Sequence, residues 1–141
     1  MDYDFQPRKR NKQIARRLVK HNNIIVDNIM IPHFNYPEII NSNDLFMRIK
    51  EEVNDYDTTH LGVLIEVFRI CRYVIGNLNS HLSHLAVLLR KPLVCVDNKI
   101  TMDNIGIMNP LKTPIIFTND IKEGMKKYDN TFWFKKCWIG K

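Results

Sequence analysis

The chain has 141 residues, 45% of them hydrophobic, a formal net charge of +6 and three cysteines. This length is typical of one domain, and the hydrophobic content is sufficient for a buried core. Cys71 and Cys95 lie in or beside apolar runs, and an odd number of cysteines without a C-x-x-C spacing argues against a disulfide or zinc framework. We therefore expect a single domain over residues 1–141, with buried thiols, in a reducing compartment.

The sequence was also searched for secretory and membrane-spanning segments. The first residues are charged and lack the apolar stretch of a secretory signal. The apolar region 61–78 is interrupted by Glu66, Arg69 and Arg72, so it falls short of the roughly 20 apolar residues of a membrane span. These features predict a cytoplasmic protein with no membrane span. The richness in Asn, Ile and Lys is also typical of an AT-rich genome, such as those of some large DNA viruses or low-GC bacteria.

The first half of the chain alternates helical and β-branched patterns. Residues 8–20 place apolar side chains on one face among basic residues, which predicts an amphipathic helix. The runs 24–26 and 29–31 predict strand material that ends at Pro32. The other predicted elements here are a loop over 32–43, a helix over 44–53 capped by Asn43 or Asp44, and a helix over 58–71.

The central stretch from Cys71 to Val96 predicts a strand, a polar turn, a helix and a second strand. Ser80 is a good N-cap for the helix, and Lys91-Pro92 ends it. Further predicted elements are a short helix near 102–108, a strand at 113–117 and a short basic helix to about residue 127. Alternation of helices with buried strands predicts a three-layer α/β/α, Rossmann-like domain with a mostly parallel sheet.

The turn before the central helix is the candidate ligand site. Ligands of open parallel sheets bind beyond the carboxyl ends of the strands, and backbone N–H groups at a helix N-terminus favour an anion such as a phosphate. Asparagine side chains add groups that bind sugar hydroxyls. The candidate ligand-binding residues are Gly76, Asn77, Asn79, Ser80, His81 and His84.

The segment LIEVFRICRYVIGNLNSHLSHLAVLLRKPLVCV resembles the nucleotide-sugar-binding, C-terminal half of heptosyltransferase-like glycosyltransferases of the GT-B fold. The resemblance covers residues 58–97. It implies a nucleotide-sugar or other phosphorylated ligand, with the sugar near Asn79, the diphosphate at Ser80 and the next residue, and His84 lining the donor pocket. In that family the position of Asn79 is usually acidic, and the acceptor half is a second domain. The chain has room for one half, so a partner would supply the other, and no catalytic residue is assigned.

Simpler interpretations remain open for the same residues. The Asn79-Ser80 turn is also a normal helix cap, and His84 is equally well explained as a packed, hydrogen-bonded side chain. His81 and His84 have no third ligand at a useful spacing, so we predict no metal. No cofactor is predicted.

The charge distribution supports an alternative function, a non-catalytic binding or assembly protein that holds nucleic acid or an acidic protein partner. The tail over residues 129–141 is aromatic and basic, and an aromatic tail is suited to a homo-oligomer or partner-chain contact. The predicted basic face consists of Arg8, Lys9, Arg10, Lys12, Arg16 and Arg17.

Overall fold

The computed structural model of the protein describes residues 5–30, 36–53, 60–97 and 109–130. The predicted helix near 102–108, the aromatic residues of the tail and Cys137 lie outside these ranges. None of the helices in the described part of the chain is both long and apolar enough to cross a membrane.

The described strands form one sheet of five strands, all parallel, in the order β2-β1-β3-β4-β5. Short β-branched runs form most of the strands, in keeping with a sheet that is covered on both faces. The register pairs Ile25 with Val74 and Val74 with Leu93. The strands are β1 (Ile24–Val26), β2 (Ile39–Asn41), β3 (Tyr73–Gly76), β4 (Leu93–Cys95) and β5 (Ile115–Phe117).

Helices cover both faces of the sheet. The described helices are α1 (Phe5–Leu18), α2 (Ser42–Glu52), α3 (His60–Ile70), α4 (His81–Leu88) and α5 (Ile121–Asn130), with a 3-10 turn at Asn28–Met30. Alternate strand residues such as Ile25 and Val74 pack against α1 to α4, and their neighbours Ile24 and Tyr73 face the side where Tyr128 of α5 packs. The predicted three-layer α/β/α architecture is therefore confirmed.

Three local predictions in the first half of the chain were wrong. Ile29 and Met30 belong to the 3-10 turn, because β1 ends at Val26 and the carbonyl oxygen of Asp27 accepts a hydrogen bond from the Met30 amide (2.9 Å). The predicted loop contains β2. Its two isoleucines are flanked by residues typical of turns, so the strand pattern is too short to recognise in the sequence. Helix α2 begins earlier than predicted, since the side chain of Asn41 is the N-cap and accepts from the Asn43 amide (2.8 Å).

The prediction of buried thiols is confirmed for two of the three cysteines. Cys71 and Cys95 are free and buried. Burial disfavours the thiolate and raises the pKa of each thiol to about 12.

Candidate ligand site at the carboxyl edge of the sheet

The strand order reverses between β1 and β3. The chain leaves β1 towards β2 at one edge of the sheet and leaves β3 towards β4 on the other side. In open parallel sheets, ligands bind beyond the carboxyl ends of the strands at such a reversal. Polar residues follow the strands here, namely Asp27 after β1, Asn77 after β3 and Asp97 shortly after β4.

Gly76 at the end of β3 allows α4 to approach the sheet closely. A Cβ atom on residue 76 would collide with the Oγ of Ser83 and would lie 3.9 Å from the Cβ of Asp27. Ser83 is 1% exposed, and its Oγ has no hydrogen-bond partner in the part of the chain that the structure describes. A buried hydroxyl without a partner is uncommon in proteins and is a reason to look for a ligand or functional role nearby.

The predicted turn is real, but three of its backbone amides already have acceptors within the protein. The amide of Leu78 donates to Oδ2 of Asp97 (3.0 Å), and the amide of Asn79 donates to Oδ1 of Asn77 (3.1 Å). The amide of Ser80 donates to the Asn77 carbonyl oxygen (3.2 Å). The turn itself therefore offers an incoming anion few free amides.

The first turn of α4 retains donors. Ser80 is the N-cap as predicted, and its Oγ accepts from the Leu82 amide (3.1 Å). Within the described ranges, the amides of His81 and Ser83 have no acceptor. The side chains of Asn79 and His81 are exposed at this end of the helix. Ser83 is buried, so an anion that approaches α4 would meet the His81 amide and the positive end of the helix dipole.

The two histidines lie on the flank of α4. The Nε2 of His84 is 2.9 Å from the carbonyl oxygen of Leu78, and since a carbonyl can only accept, this nitrogen carries the proton. The ring centroids of His81 and His84 are 6.3 Å apart with the planes inclined by 19°. The hydrogen bond gives His84 a structural role in holding the turn against the helix, which does not prevent the other edge of the ring from meeting a ligand.

Both imidazoles border an apolar groove between α4, α3 and α2. The groove has a volume of about 290 Å³, close to the lower end of the size range of small-molecule pockets. Its rim includes Leu61 and Leu88, which are 58% and 66% exposed. The lining residues are Phe46, Leu61, Leu64, His81, Leu82, His84, Leu85 and Leu88.

No cluster of three or more His, Cys, Asp or Glu side chains with metal-binding geometry occurs in the described ranges. His81 and His84 therefore have no third ligand of these types in this part of the protein.

The predicted basic face lies on α1, on the side of the sheet that α1 to α4 cover. Arg8 lies 3.9 Å from Glu66, and Arg17 donates to Glu52 (2.9 Å). Lys9, Arg10 and Arg16 are exposed, and Lys12 is half-buried. The basic face and the strand-end site are thus formed by different elements of the domain.

Sequence reasoning missed three residues of the site. Asp27 and Asp97 follow strands β1 and β4, and Ser83 lies inside a helix that was analysed only for its cap and histidines. A polar residue directly after a buried strand was a usable signal for Asp27, because carboxyl ends of parallel strands share one edge. No sequence signal indicated that Ser83 would lie against Gly76.

The fold and the site define an open parallel α/β domain with polar residues gathered at a reversal of strand order. Comparisons with protein-family models, curated proteins and solved structures give no match. The likeness to heptosyltransferase-like enzymes consequently stays a prediction made from the sequence.

Proposed function

We propose that this domain binds a nucleotide sugar, or another phosphorylated and hydroxyl-rich small molecule, around the N-terminus of α4. One observation carries the proposal: Asp27 and Asp97 flank the end of β3 where the strand order reverses. Carboxylates accept hydrogen bonds from sugar hydroxyls, and Asn77 adds an amide.

Three kinds of surface adjoin one another at this end of α4, and they match the three parts of a nucleotide sugar. Asp27, Asn77 and Asp97 provide hydrogen-bonding groups for hydroxyls. The amide of His81, with the helix dipole, suits a phosphate. The groove beside them is apolar and edged by two imidazoles, a surface suited to a flat aromatic base.

Asn79 and Ser80 support the proposal in a smaller way than the resemblance implies. The Ser80 oxygen already caps the helix and the Asn79 amide is engaged, so these residues contribute the exposed side chain of Asn79 and the hydroxyl proton of Ser80. Transfer of the sugar, as in a glycosyltransferase, would need a partner that supplies the acceptor half. The helix N-terminus would then stabilise the charge on the departing diphosphate.

A thermal-shift and calorimetry screen tests the proposal. UDP-glucose and ADP-glucose are compared with UDP, ADP, glucose and inorganic phosphate. A ligand at about 100 times its Kd stabilises the fold by about 2.7 kcal/mol, which raises the Tm by several degrees. We expect at least one nucleotide sugar to raise the Tm more than its nucleoside diphosphate does. We also expect the nucleotide sugars and the nucleoside diphosphates to raise the Tm more than inorganic phosphate does.

Two carboxylate variants locate the site. Asp27→Asn and Asp97→Asn keep the size of the side chain, and an asparagine at 97 still accepts from the Leu78 amide. We expect each to weaken binding about tenfold while the unliganded Tm changes little. Asp44→Asn, an exposed carboxylate in the first turn of α2, is the matched control. A stable, folded protein that binds none of the nucleotides would refute the proposal.

A further inference from the structure

Helix α1 carries positive charge where the helix itself gains nothing from it. Arg8, Lys9 and Arg10 lie in its first half, near the positive end of the helix dipole, and its first turn contains no acidic residue. Cations are unfavourable at this end of a helix. Arg16 and Arg17 in the last turn do complement the dipole, so the dipole accounts for only part of the charge.

Four of these cations form a line on the outer face of α1. At about 100° per residue, Lys9, Lys12 and Arg16 fall within about 60° of one another around the helix axis. Lys20 lies just beyond the end of α1 at Leu18, and its Nζ donates to the Arg16 carbonyl oxygen (3.3 Å), which places its ammonium group beside the last turn of the helix. We call these four residues the basic strip; it is about 16 Å long at 1.5 Å per residue.

No carboxylate pairs with the basic strip within the described ranges. In this part of the chain, the carboxylates near α1 contact other cations: Glu66 lies near Arg8 and Arg69, and Glu52 pairs with Arg17. Over the described ranges, Lys9, Lys12 and Arg16 have no carboxylate partner. The neighbours Lys12 and Arg16 are like charges four positions apart, a spacing that destabilises a helix.

The chemistry of the strip discriminates between polyanionic partners. The apolar face of α1, with Ile14, Ala15 and Val19, is at most 3% exposed and packs in the core against α3. Residues 8–18 of the helix therefore present no exposed apolar side chain for insertion into a lipid surface, unlike membrane-binding amphipathic helices. A specific protein interface would normally also include aromatic or apolar anchors. Between residues 8 and 18, the exposed residues of α1 are all polar or cationic, namely Arg8, Lys9, Arg10, Gln13, Arg16 and Arg17.

From this combination we infer that the basic strip binds nucleic acid through its phosphate backbone. Lysine and arginine alone suffice for such contacts, which carry no sequence information. The strip covers about five base-pair steps of 3.4 Å. This binding surface is separate from the strand-end site, so its test is independent of nucleotide-sugar binding.

Fluorescence anisotropy with labelled 20-base-pair DNA and RNA duplexes, titrated between 50 and 200 mM salt, tests the inference on the full chain. Four phosphate contacts predict a slope of log K against log salt of about −3.6 on DNA, a loss of affinity of roughly 150-fold over this range. The triple variant Lys9→Gln, Lys12→Gln, Arg16→Gln should reduce the slope to about −0.9.

The matched control removes the same charge from the opposite face of the sheet, with Lys122→Gln, Lys126→Gln and Lys127→Gln on α5. We expect it to keep the slope of the unmodified protein. Equal losses in both variants would overturn the inference, as would a shallow slope in the unmodified protein. Tighter binding to polyglutamate or to phosphatidylserine vesicles than to the duplexes would overturn it in favour of an acidic protein or a membrane.

Discussion

The Oγ atom of Ser83 lies against Gly76, in the space that a Cβ atom of residue 76 would occupy, whereas the Cβ of Ser83 is 3.7 Å from the same point. The close approach of α4 to β3 thus depends on the absence of a side chain at residue 76, and among the described residues the only tight contact would be with the Ser83 hydroxyl.

This geometry predicts a rescue experiment. Gly76→Ala should cost about 1–3 kcal/mol of unfolding free energy, because overpacking displaces α4 or forces the serine to rotate. Ser83→Ala alone should be neutral or slightly stabilising, since it removes a buried hydroxyl that lacks a partner among the described residues. In the Ser83→Ala background, Gly76→Ala should cost less than half as much. Urea denaturation of the four proteins measures the coupling, and additive costs would contradict the prediction.

A buried lysine anchors the end of α3. Lys91 is 5% exposed, and its Nζ donates to the carbonyl oxygens of Cys71 (2.6 Å) and Arg69 (3.4 Å). Lys91→Met keeps the apolar stem but leaves these carbonyl groups without their donor, so we expect a loss of about 2 kcal/mol. Lys126→Met, at an exposed position of α5, is the control and should change the unfolding free energy by less than 0.5 kcal/mol. Similar effects of the two substitutions would argue against an anchoring role.

The buried thiols predict a loss of stability at alkaline pH. Burial raises the thiol pKa of Cys71 and Cys95 from 9.0 to about 12, and that of the Tyr128 phenol from 10.0 to about 12. The unfolded chain therefore ionises first, so the full stability is present below about pH 9 and falls as the pH rises towards 12. Each thiol should account for about 2 kcal/mol at pH 10.5.

Urea denaturation in reducing buffer at pH 7.5, 9.5 and 10.5 measures this dependence. Cys71→Ala provides the comparison. The cavity that it leaves should lower the unfolding free energy by the same amount at every pH. The further loss of unfolding free energy at alkaline pH should be smaller in the variant, because one of the ionising thiols is gone. Parallel pH profiles for the two proteins would show that Cys71 ionises normally in the folded state.

Two leucines of α4 form a matched pair for the groove. Leu82 is 6% exposed and belongs to the core, whereas Leu88 on the rim of the groove is 66% exposed. Leu82→Ala should lower the free energy of unfolding by about 2–4 kcal/mol, because it removes buried apolar groups and leaves a cavity. Leu88→Ala should cost well under 1 kcal/mol. A large cost at Leu88 would mean that the groove is closed by further packing.

Local signals were sufficient for the central unit and insufficient around β2. The run before Gly76 and the cap at Ser80 each depend on neighbours in sequence, and both were located correctly. The predicted stop at Lys91-Pro92 lies too far along the chain, because α4 ends at Leu88 and Arg90 adopts a left-handed conformation (φ 57°). Strand β2 has only three residues and lies beside residues typical of turns, so its two isoleucines are too few to show a strand pattern. Its hydrogen bonds to β1 stabilise the extended conformation that its own sequence does not specify.

The candidate site shows the same division. The cap, the turn and the histidine flank of α4 followed from the residues in the chain, while Asp27 and Ser83 were not expected in the site. Both reach it through contacts between elements distant in sequence. Asp27 lies next to β3 only because β1 is its neighbour in the sheet.

The amino-acid sequence by itself determined the fold class and most of the elements, β2 excepted: β-branched runs that must be buried on both faces, joined by amphipathic helices, require a mostly parallel sheet in three layers. Only the tertiary structure decided the strand order, and with it the proximity of Asp27, Gly76 and Ser83 and the engagement of the turn amides by Asp97 and Asn77. The physical reason is that hydrophobic periodicity specifies which face of a strand is buried but does not specify which strand lies beside it, since every β-branched strand of similar length presents the same backbone donors and acceptors.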